Sequence, residues 1–331
     1  MALKSWFLIP SDSHFSLANI PFGIISHSSN PNPHPAIAIG SHALDLELFT
    51  AANGFSSLSI VQPHQTVFGA PILNPFAALG RPIHSAVRKY IQSVFLLDGP
   101  FPDILASKPE LQKQCLVPLA EVTMHLPMHI GDYTDFYAGL HHAFRVGELF
   151  RGAANALQPN YMHLPVGYHG RASSVVVSGT PIRRPNGQVL SDSNAEMKVP
   201  VLKPSAKLDI ELELGAFVCK ANGLGTPIGV KEAGEYLFGV VLLNDWSARD
   251  IQAWEYVPLG PFNGKNFGTS ISPWVVLMDA LEPFRAKGID RQVELLPYLQ
   301  DRDDSVFDMR LEIDIKSESW KSSGQDRADN S

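Results

Sequence analysis

Three acidic side chains alternate with apolar ones along a short segment of the chain. Residues 207–215 have the sequence KLDIELELG, which contains Asp209, Glu211 and Glu213. In a β-strand this alternation places the three carboxylates on one face. Like charges one strand repeat apart repel each other, so the face is either solvated or neutralised by a cation. Spacing alone leaves both interpretations open, and a solvated surface strand is the commoner of the two.

A fourth acid, Asp245, comes directly after the apolar run FGVVLLN. The run predicts a buried strand with Asp245 at its C-terminal end. If a helix follows, the spacing of Arg249, Gln252 and Tyr256 lines one face with a cation, an amide and a phenol. The alternative is structural, because Asp245 or Ser247 could instead cap that helix.

The segment DYTDFYAGLHH contains Asp135, Tyr137 and His142. If the segment is helical, Asp135 and His142 share a face seven residues apart. A metal-binding carboxylate would then lie near a base that titrates close to neutral pH. A structural histidine remains the alternative at this spacing.

A glycine-rich loop, GPFNGKNFGTS, carries Lys265 and Thr269. It is not a phosphate-binding P-loop, because three residues rather than four separate Gly260 from Gly264, and Asn266 stands where Ser or Thr would hold magnesium. The pattern fits either a buried lysine in a conformationally demanding loop or a plain surface turn.

A further segment, LPVGYHGRASS, contributes Tyr168 and Arg171 beside His169. A zinc site built from His163 and His169 is disfavoured, because the carboxylates in the chain favour a hard, oxygen-loving cation. The chain contains no G-x-S-x-G motif, which argues against a serine nucleophile.

Two β-rich units would position these residues. Up to residue 97, short apolar stretches broken by Pro, Gly, Ser and Asn predict a small β domain, closed by a helix with Pro82 in its first turn. The segment from Leu116 to Pro127 is predicted to be a linker. Beyond it, the pattern predicts strands at residues 172–177, 208–218, 238–244 and 273–277, joined by glycine-rich loops.

The composition of the chain favours some classes of binding partner over others. The formal net charge of −7, without a basic cluster, argues against nucleic acid and favours a small molecule. No apolar run is long enough to span a bilayer, and the first ten residues lack a secretory signal, so we expect a cytoplasmic chain with no membrane partner. Cys115 and Cys219 are expected to be free, partly buried thiols.

Several motifs in a fixed order resemble the fumarylacetoacetase family: DYTDFY, HLPVGYHGRASS, SGTPIRRP, the ELEL strand, NDWSARDIQ, GKNFGT and ISPW. The resemblance implies a mainly β (α+β) fold, with a small SH3-like N-terminal barrel followed by a mixed β-roll catalytic domain, usually in a homodimer. We expect the barrel at residues 1–120, the catalytic domain at 121–316, and a polar, disordered tail at 317–331.

The resemblance also implies a metal centre. The residues matching the family's calcium ligands are Asp135, Glu211, Glu213 and Asp245, which agrees with a carboxylate-rich, all-oxygen site. Lys265 and Thr269, with Asp245, match a second position that holds magnesium.

By the same resemblance, the substrate is 4-fumarylacetoacetate, a diketo acid cut at a carbon–carbon bond to give fumarate and acetoacetate, the last step of tyrosine and phenylalanine breakdown. His142 matches the base that activates water. Arg249, Gln252 and Lys265 match the groups that stabilise the oxyanion and the departing carbanion. The residues matching substrate binders are Tyr137, Arg151, Tyr168 and Tyr256, together with Arg249 and Gln252.

The ending departs from the family pattern. In the family, a glutamate that pairs with the catalytic histidine and a Gly-Thr loop lie in a C-terminal stretch without a counterpart here. We expect similarity to fail after Lys316, as in a truncated isoform, an altered reading frame or a mispredicted gene, and residues 311–315 to form a strand without partners. The alternatives are therefore a related acylpyruvate hydrolase or decarboxylase, and a catalytically impaired chain acting only by association.

Overall fold

The computed structural model describes residues 3–192, 195–302 and 304–316. The polar tail predicted at residues 317–331 lies outside the described residues. Within them, no helix combines the length and the apolar character needed to cross a membrane.

A five-stranded antiparallel sheet organises the N-terminal part of the chain. Its strands, in spatial order, are β4 (Leu116–Pro118), β3 (His42–Asp45), β2 (Asn30–Ile39), β1 (Phe22–His27) and β5 (Thr123–His125). The segment predicted as a linker therefore supplies both edge strands of this sheet, and that prediction was wrong. Its prolines suggested a linker, but short edge strands tolerate proline.

Four helices pack around this sheet: α1 (Leu46–Ala51), α2 (Asn74–Ala77), α3 (Arg81–Phe95) and α4 (Pro109–Cys115). Helix α1 begins where the Asp45 side chain accepts a hydrogen bond from the Leu48 amide. Helix α3 is the predicted helix, and it buries Val87, Tyr90 and Ile91 on one face. Its proline lies in the first turn, where no backbone donor is lost.

The C-terminal part contains shorter elements. Its strands are β6 (Thr134–Phe136), β7 (Gly167–His169), β8 (Val175–Val177), β9 (Asn186–Leu190), β10 (Pro200–Pro204), β11 (Leu208–Asp209), β12 (Leu212–Val218), β13 (Leu237–Asp245), β14 (Ser247–Ala248), β15 (Thr269–Ile271), β16 (Val276–Leu277), β17 (Arg285–Ala286) and β18 (Val306–Phe307). Its helices are α5 (Leu140–Arg151), α6 (Arg249–Glu255) and α7 (Met278–Leu281).

The main sheet of this part has the strand order β12-β13-β15-β8, with β16 also paired to β13. Within the described residues, the 3-10 helices are Ser59–Gly69, Leu119–Glu121, Ala153–Asn155, Ala172–Ser174, Ala233–Tyr236, Glu282–Phe284 and Pro297–Leu299.

The predicted strands are confirmed in part. The apolar run at 238–244 is the centre of β13, but the segment 208–218 divides into β11 and β12, which belong to different sheets. The segments at 172–177 and 273–277 are strands only over their last residues. Residues 311–315 form no strand and are exposed, because alternation without a neighbouring strand leaves the backbone hydrogen bonds unmade.

One hydrophobic core joins the two parts of the chain. Phe22 of β1 exchanges backbone hydrogen bonds of 2.9 and 2.6 Å with Val275. The ring of Phe76 packs between Phe22 and Phe238, with centroid distances of 5.2 and 5.8 Å. The result is a mixed α/β fold built on sheets, as expected, whereas the SH3-like barrel and the domain limits stay predictions.

Candidate metal centre and active site

Three carboxylates meet at one end of the main sheet. Oxygen atoms of Glu211, Glu213 and Asp245 all lie within 4.8 Å of one another. The antiparallel pairing of β12 with β13 causes this, since Glu213 lies opposite Leu243 and the Asp245 amide donates to the Glu211 carbonyl at 3.1 Å. Glu213 on β12 and Glu211, directly before that strand, thus face the acid at the end of β13.

Asp209 does not join this group, although the alternation predicted it on the same face. It lies on β11, which pairs with β14 rather than with β13, so the face is interrupted between Asp209 and Glu211. Its exposed carboxylate instead accepts a 2.8 Å hydrogen bond from Arg249 Nε.

Asp135 approaches the acids from another sheet. It lies on β6, opposite Tyr168 of β7, and is only 9% exposed. Its charge contributes to the raised pKa of Glu213 and of Asp245, but its carboxylate is not one of the three whose oxygens all lie within 4.8 Å of one another. The helical face predicted to carry both Asp135 and His142 was wrong, because Asp135 is on a strand and His142 is on α5.

Two cationic side chains bind the acids. Lys265, 6% exposed, contacts Glu211 Oε2 at 2.6 Å and also binds Asp245. Arg249 Nη2 contacts Glu211 Oε1 at 2.5 Å. The loop of Lys265 packs tightly on α6, since a Cβ on Gly264 would lie 2.9 Å from Gln252 atoms. The buried lysine is therefore the correct alternative for this loop, and the surface turn is excluded.

The cluster carries more negative than positive charge. Three clustered carboxylates face two cations, and the charge of Asp135 also acts on Glu213 and Asp245, which leaves two negative charges if all four acids are ionised. Burial, reinforced by the neighbouring acids, raises the pKa of Glu213 to about 8. Burial also raises the pKa of Asp245 to about 7, although Lys265 partly offsets it. For Glu211, Lys265 and Arg249 outweigh burial and lower the pKa.

This donor set suits a hard divalent cation. Calcium and magnesium bind oxygen ligands. An excess of about two negative charges on the carboxylates balances the charge of one divalent cation. Thr269, the other residue of the predicted magnesium position, is buried on β15 directly opposite Asp245.

His142 is exposed near the start of α5, and its ring meets that of Tyr137 edge to face at 5.6 Å. Burial raises the pKa of Tyr137, and the charges of Glu211 and Arg249 also act on this phenol. His142 therefore contacts Tyr137, and its role as a base stays a prediction.

The remaining predicted residues lie on α5 and β7 and on or directly after α6. Gln252 Oε1 accepts from Arg249 Nη1 at 3.1 Å, and the Arg249–Gln252 face of α6 forms as expected. Tyr168 lies opposite Asp135 in the β6–β7 pairing, and burial raises its pKa strongly. Arg151 donates to the carbonyls of Asn155 and Ala156, at 3.0 and 2.6 Å. Tyr256, at the end of α6, is partly exposed and lies 6.3 Å from the Phe150 ring.

Tyr133 is a neighbour of the acids that the sequence interpretation did not include. Its hydroxyl is buried and has no hydrogen-bond partner among the residues that the structure describes. Burial and the charges of Asp245 and Asp135 raise its pKa strongly. Glycine at position 170 is required beside it, because a Cβ there would lie 2.3 Å from the Tyr133 ring. The alternation of Tyr133, Asp135 and Tyr137 was the available signal.

Comparison with known proteins identifies the family. The model described as Fumarylacetoacetase N-terminal matches residues 18–127, and the one described as Fumarylacetoacetate (FAA) hydrolase C-terminal matches residues 133–323. The chain belongs to the fumarylacetoacetase family. The family match continues beyond Lys316, where the sequence interpretation expected it to fail.

Named members of the family agree over most of the chain. The fumarylacetoacetase of Aspergillus fumigatus is 62% identical over 96% of this chain and 75% of its own length. The fumarylacetoacetase of Emericella nidulans is 61% identical, over 95% and 73%. The human fumarylacetoacetase is 47% identical, over 95% and 73%. This chain thus spans about three quarters of these relatives.

Proposed function

We propose that the chain hydrolyses the carbon–carbon bond of 4-fumarylacetoacetate, giving fumarate and acetoacetate, with a divalent cation held by Asp135, Glu211, Glu213 and Asp245. Membership of the family supports the substrate. The observation that carries the proposal is the convergence of three carboxylates within 4.8 Å at the mouth of β13. Calcium is the proposed ion at the four acids, and magnesium at the position of Asp245, Lys265 and Thr269.

A cation bound at these acids would act as a Lewis acid towards the diketo oxygens of the substrate. Arg249 is held by Glu211 and Asp209, which fixes its guanidinium and, through it, Gln252. Donors fixed in this way stabilise a developing oxyanion without reorganising. Each such donor contributes about 2.7 to 4 kcal/mol in comparable enzymes. Lys265, already charged and buried, is the third proposed donor.

His142 is the proposed general base. Its exposure allows it to take a proton from water, and the contact with Tyr137 restrains its ring. Tyr137, Arg151, Tyr168 and Tyr256, with Arg249 and Gln252, are the proposed substrate-binding residues. The three tyrosines offer phenol donors, and Arg151 offers a cation for a substrate carboxylate.

We also propose a homodimer in the cytoplasm. Apolar side chains with large exposed fractions support an interface, including Leu149 at 84% and Leu259 at 91%. Free Cys115 and Cys219, as expected from the sequence, fit a reducing compartment.

Turnover of the purified chain tests the proposal. The absorbance of fumarylacetoacetate should fall in the presence of calcium or magnesium, and Glu213→Gln should abolish the loss. Glu110→Gln is the matched control, since it removes an exposed carboxylate of α4 that pairs only with Lys113.

Two other outcomes would replace the proposal. Faster turnover of an acylpyruvate than of fumarylacetoacetate would assign the chain to a related hydrolase or decarboxylase activity. A folded, metal-loaded chain that turns over neither fumarylacetoacetate nor an acylpyruvate would instead be a catalytically impaired protein that acts only by association.

A further inference from the structure

A second cluster of metal-ligand side chains lies in the N-terminal sheet. His27, His34 and Asp45 come from the three adjacent strands β1, β2 and β3. One ligand atom from each lies within 4.8 Å of the others. Asp45 Oδ2 is 3.1 Å from His27 Nε2 and 2.9 Å from His34 Nε2. The three side chains are at most 4% exposed.

The tautomer of His34 is fixed by its other nitrogen. Nδ1 lies 2.8 Å from the backbone oxygen of Asn32, which can only accept, so Nδ1 carries the proton. In the neutral ring, Nε2 then carries a buried lone pair beside the Asp45 carboxylate, and neither acceptor satisfies the other. A positive charge beside both would do so.

The position of that charge follows from the direction of the lone pair. His34 Nε2 is buried and makes no hydrogen bond of acceptable angle within the described part of the chain, even though Asp45 Oδ2 lies 2.9 Å away. A proton on Nε2 would therefore point away from the oxygen. A metal ion can lie along the lone pair and still be reached by Oδ2 from the side, because ligands of a metal are arranged around it at an angle.

The surrounding contacts orient the ligands. Asp45 Oδ1 accepts the Leu48 amide at 2.8 Å, which turns Oδ2 towards the histidines. The Asn32 carbonyl holds the His34 ring. Outer contacts of this kind are typical of bound metals. Two imidazoles and one carboxylate suit zinc or a similar transition metal, unlike the all-oxygen cluster of the main sheet.

We propose that His27, His34 and Asp45 form a separate structural site for a transition metal of the zinc class. The ion joins β1, β2 and β3 at the point where Asp45 begins α1. It neutralises the carboxylate and satisfies the lone pair of His34. The catalytic acids take no part in it.

Cobalt(II) is a suitable probe, because nitrogen-ligated sites of low coordination number absorb in the visible far more strongly than octahedral oxygen sites. The full chain is stripped with a chelator, then titrated with cobalt in excess calcium, which occupies the carboxylate cluster. We expect one strongly absorbing cobalt per chain, displaced by one equivalent of zinc. His27→Gln and His34→Gln should abolish the band, and Glu213→Gln should retain it.

Folding of the variants is checked by circular dichroism and by calcium binding at the acids. If a histidine variant fails to fold, X-ray absorption of the zinc-loaded unsubstituted chain replaces it, with imidazole ligands expected. The proposal is overturned if folded histidine variants keep the band, or if the unsubstituted chain binds no cobalt or zinc. The latter result would mean that a proton occupies the position.

Discussion

Tyr133 carries a buried hydroxyl on which the charges of four carboxylates act, yet no atom of the described residues binds it. A hydroxyl in that position would donate to a ligand or a water held by the acids. We expect Tyr133→Phe to leave the free energy of unfolding of the metal-free chain unchanged, or to raise it by about 1 to 3 kcal/mol as a desolvation penalty is removed.

The same change should weaken binding of the divalent cation, as measured by calorimetry. Tyr161→Phe is a matched control, since its hydroxyl is also buried without a partner but belongs to a different segment. Equal cation affinity in Tyr133→Phe and the unsubstituted chain would remove Tyr133 from the site.

Glu213 and Asp245 make the stability of the metal-free chain depend on pH. Their pKa values, about 8 and about 7, lie above the ordinary values of 4.5 and 3.8. The folded state therefore binds protons that the unfolded state releases, so stability should fall as the pH rises from about 4.5 to about 8. Denaturant midpoints at pH 5.5 and 8.5 with a chelator measure this fall. Saturating calcium should remove this fall in stability. A metal-free chain that is more stable at pH 8.5 than at pH 5.5 would contradict the raised pKa values of Glu213 and Asp245.

Spacing alone left the acids and the lysine loop open, and the family resemblance selected Glu211, Glu213, Asp245 and Lys265, which the structure brings together. The position of Glu211 and Glu213 follows from strand alternation. The separation of Asp209 does not, because it depends on a change of partner strand after residue 209. Tyr133 was missed for a similar reason, since its surroundings come from distant segments.

At the scale of elements, ion pairs join α3 to α7 and to the 3-10 helix Glu282–Phe284 that follows it. Arg81 binds Asp279 at 3.0 Å and Glu282 at 2.7 Å, and Glu282 also binds Arg285. Hydrogen bonds from Arg285 and Arg81 lower the pKa of Glu282 to about 2.

Because the folded-state pKa of Glu282 is depressed, its contribution is present above pH 4.5 and lost as the pH falls towards about 2. We expect Glu282→Gln to destabilise the chain at pH 6 and to have no effect near pH 2, as measured by thermal unfolding. Glu110→Gln, which breaks an exposed pair within α4, should change little at either pH. An equal loss in both variants would contradict this role.

Elements with a long apolar pattern were predicted well, and those defined by their neighbours were not. Helix α3 and strand β13 have faces or runs long enough to specify their structure alone. Residues 311–315 alternate as well as many strands do, but alternation specifies a face and not a partner. The strands β4 and β5 were missed because three residues carry too little pattern, and the rest of the sheet supplies their hydrogen bonds.

At the scale of the whole molecule, the two parts of the chain share one core. Phe238 of β13 is 1% exposed and packs against Phe76 and His84, with centroid distances of 5.8 and 4.8 Å. We expect Phe238→Ala to lower the free energy of unfolding by about 3 to 5 kcal/mol, because it leaves a cavity between the parts.

Calorimetry and fluorescence should still record one transition for the unsubstituted chain, at a higher temperature than for the variant. Phe284→Ala, at a position 53% exposed, is the control and should cost much less. Two independent transitions, with Phe238→Ala shifting only one, would contradict a shared core.

Isothermal titration of the metal-stripped chain with calcium, near pH 7 in two buffers of different ionisation enthalpy, tests the central claim most directly. Glu213 and Asp245 are partly protonated at this pH, so binding should release protons, and the observed heat should differ between the buffers. Asp245→Asn should weaken binding by an order of magnitude or more, and Glu110→Gln should not. No calcium binding, or binding with equal heats in both buffers and unaffected by Asp245→Asn, would contradict the account.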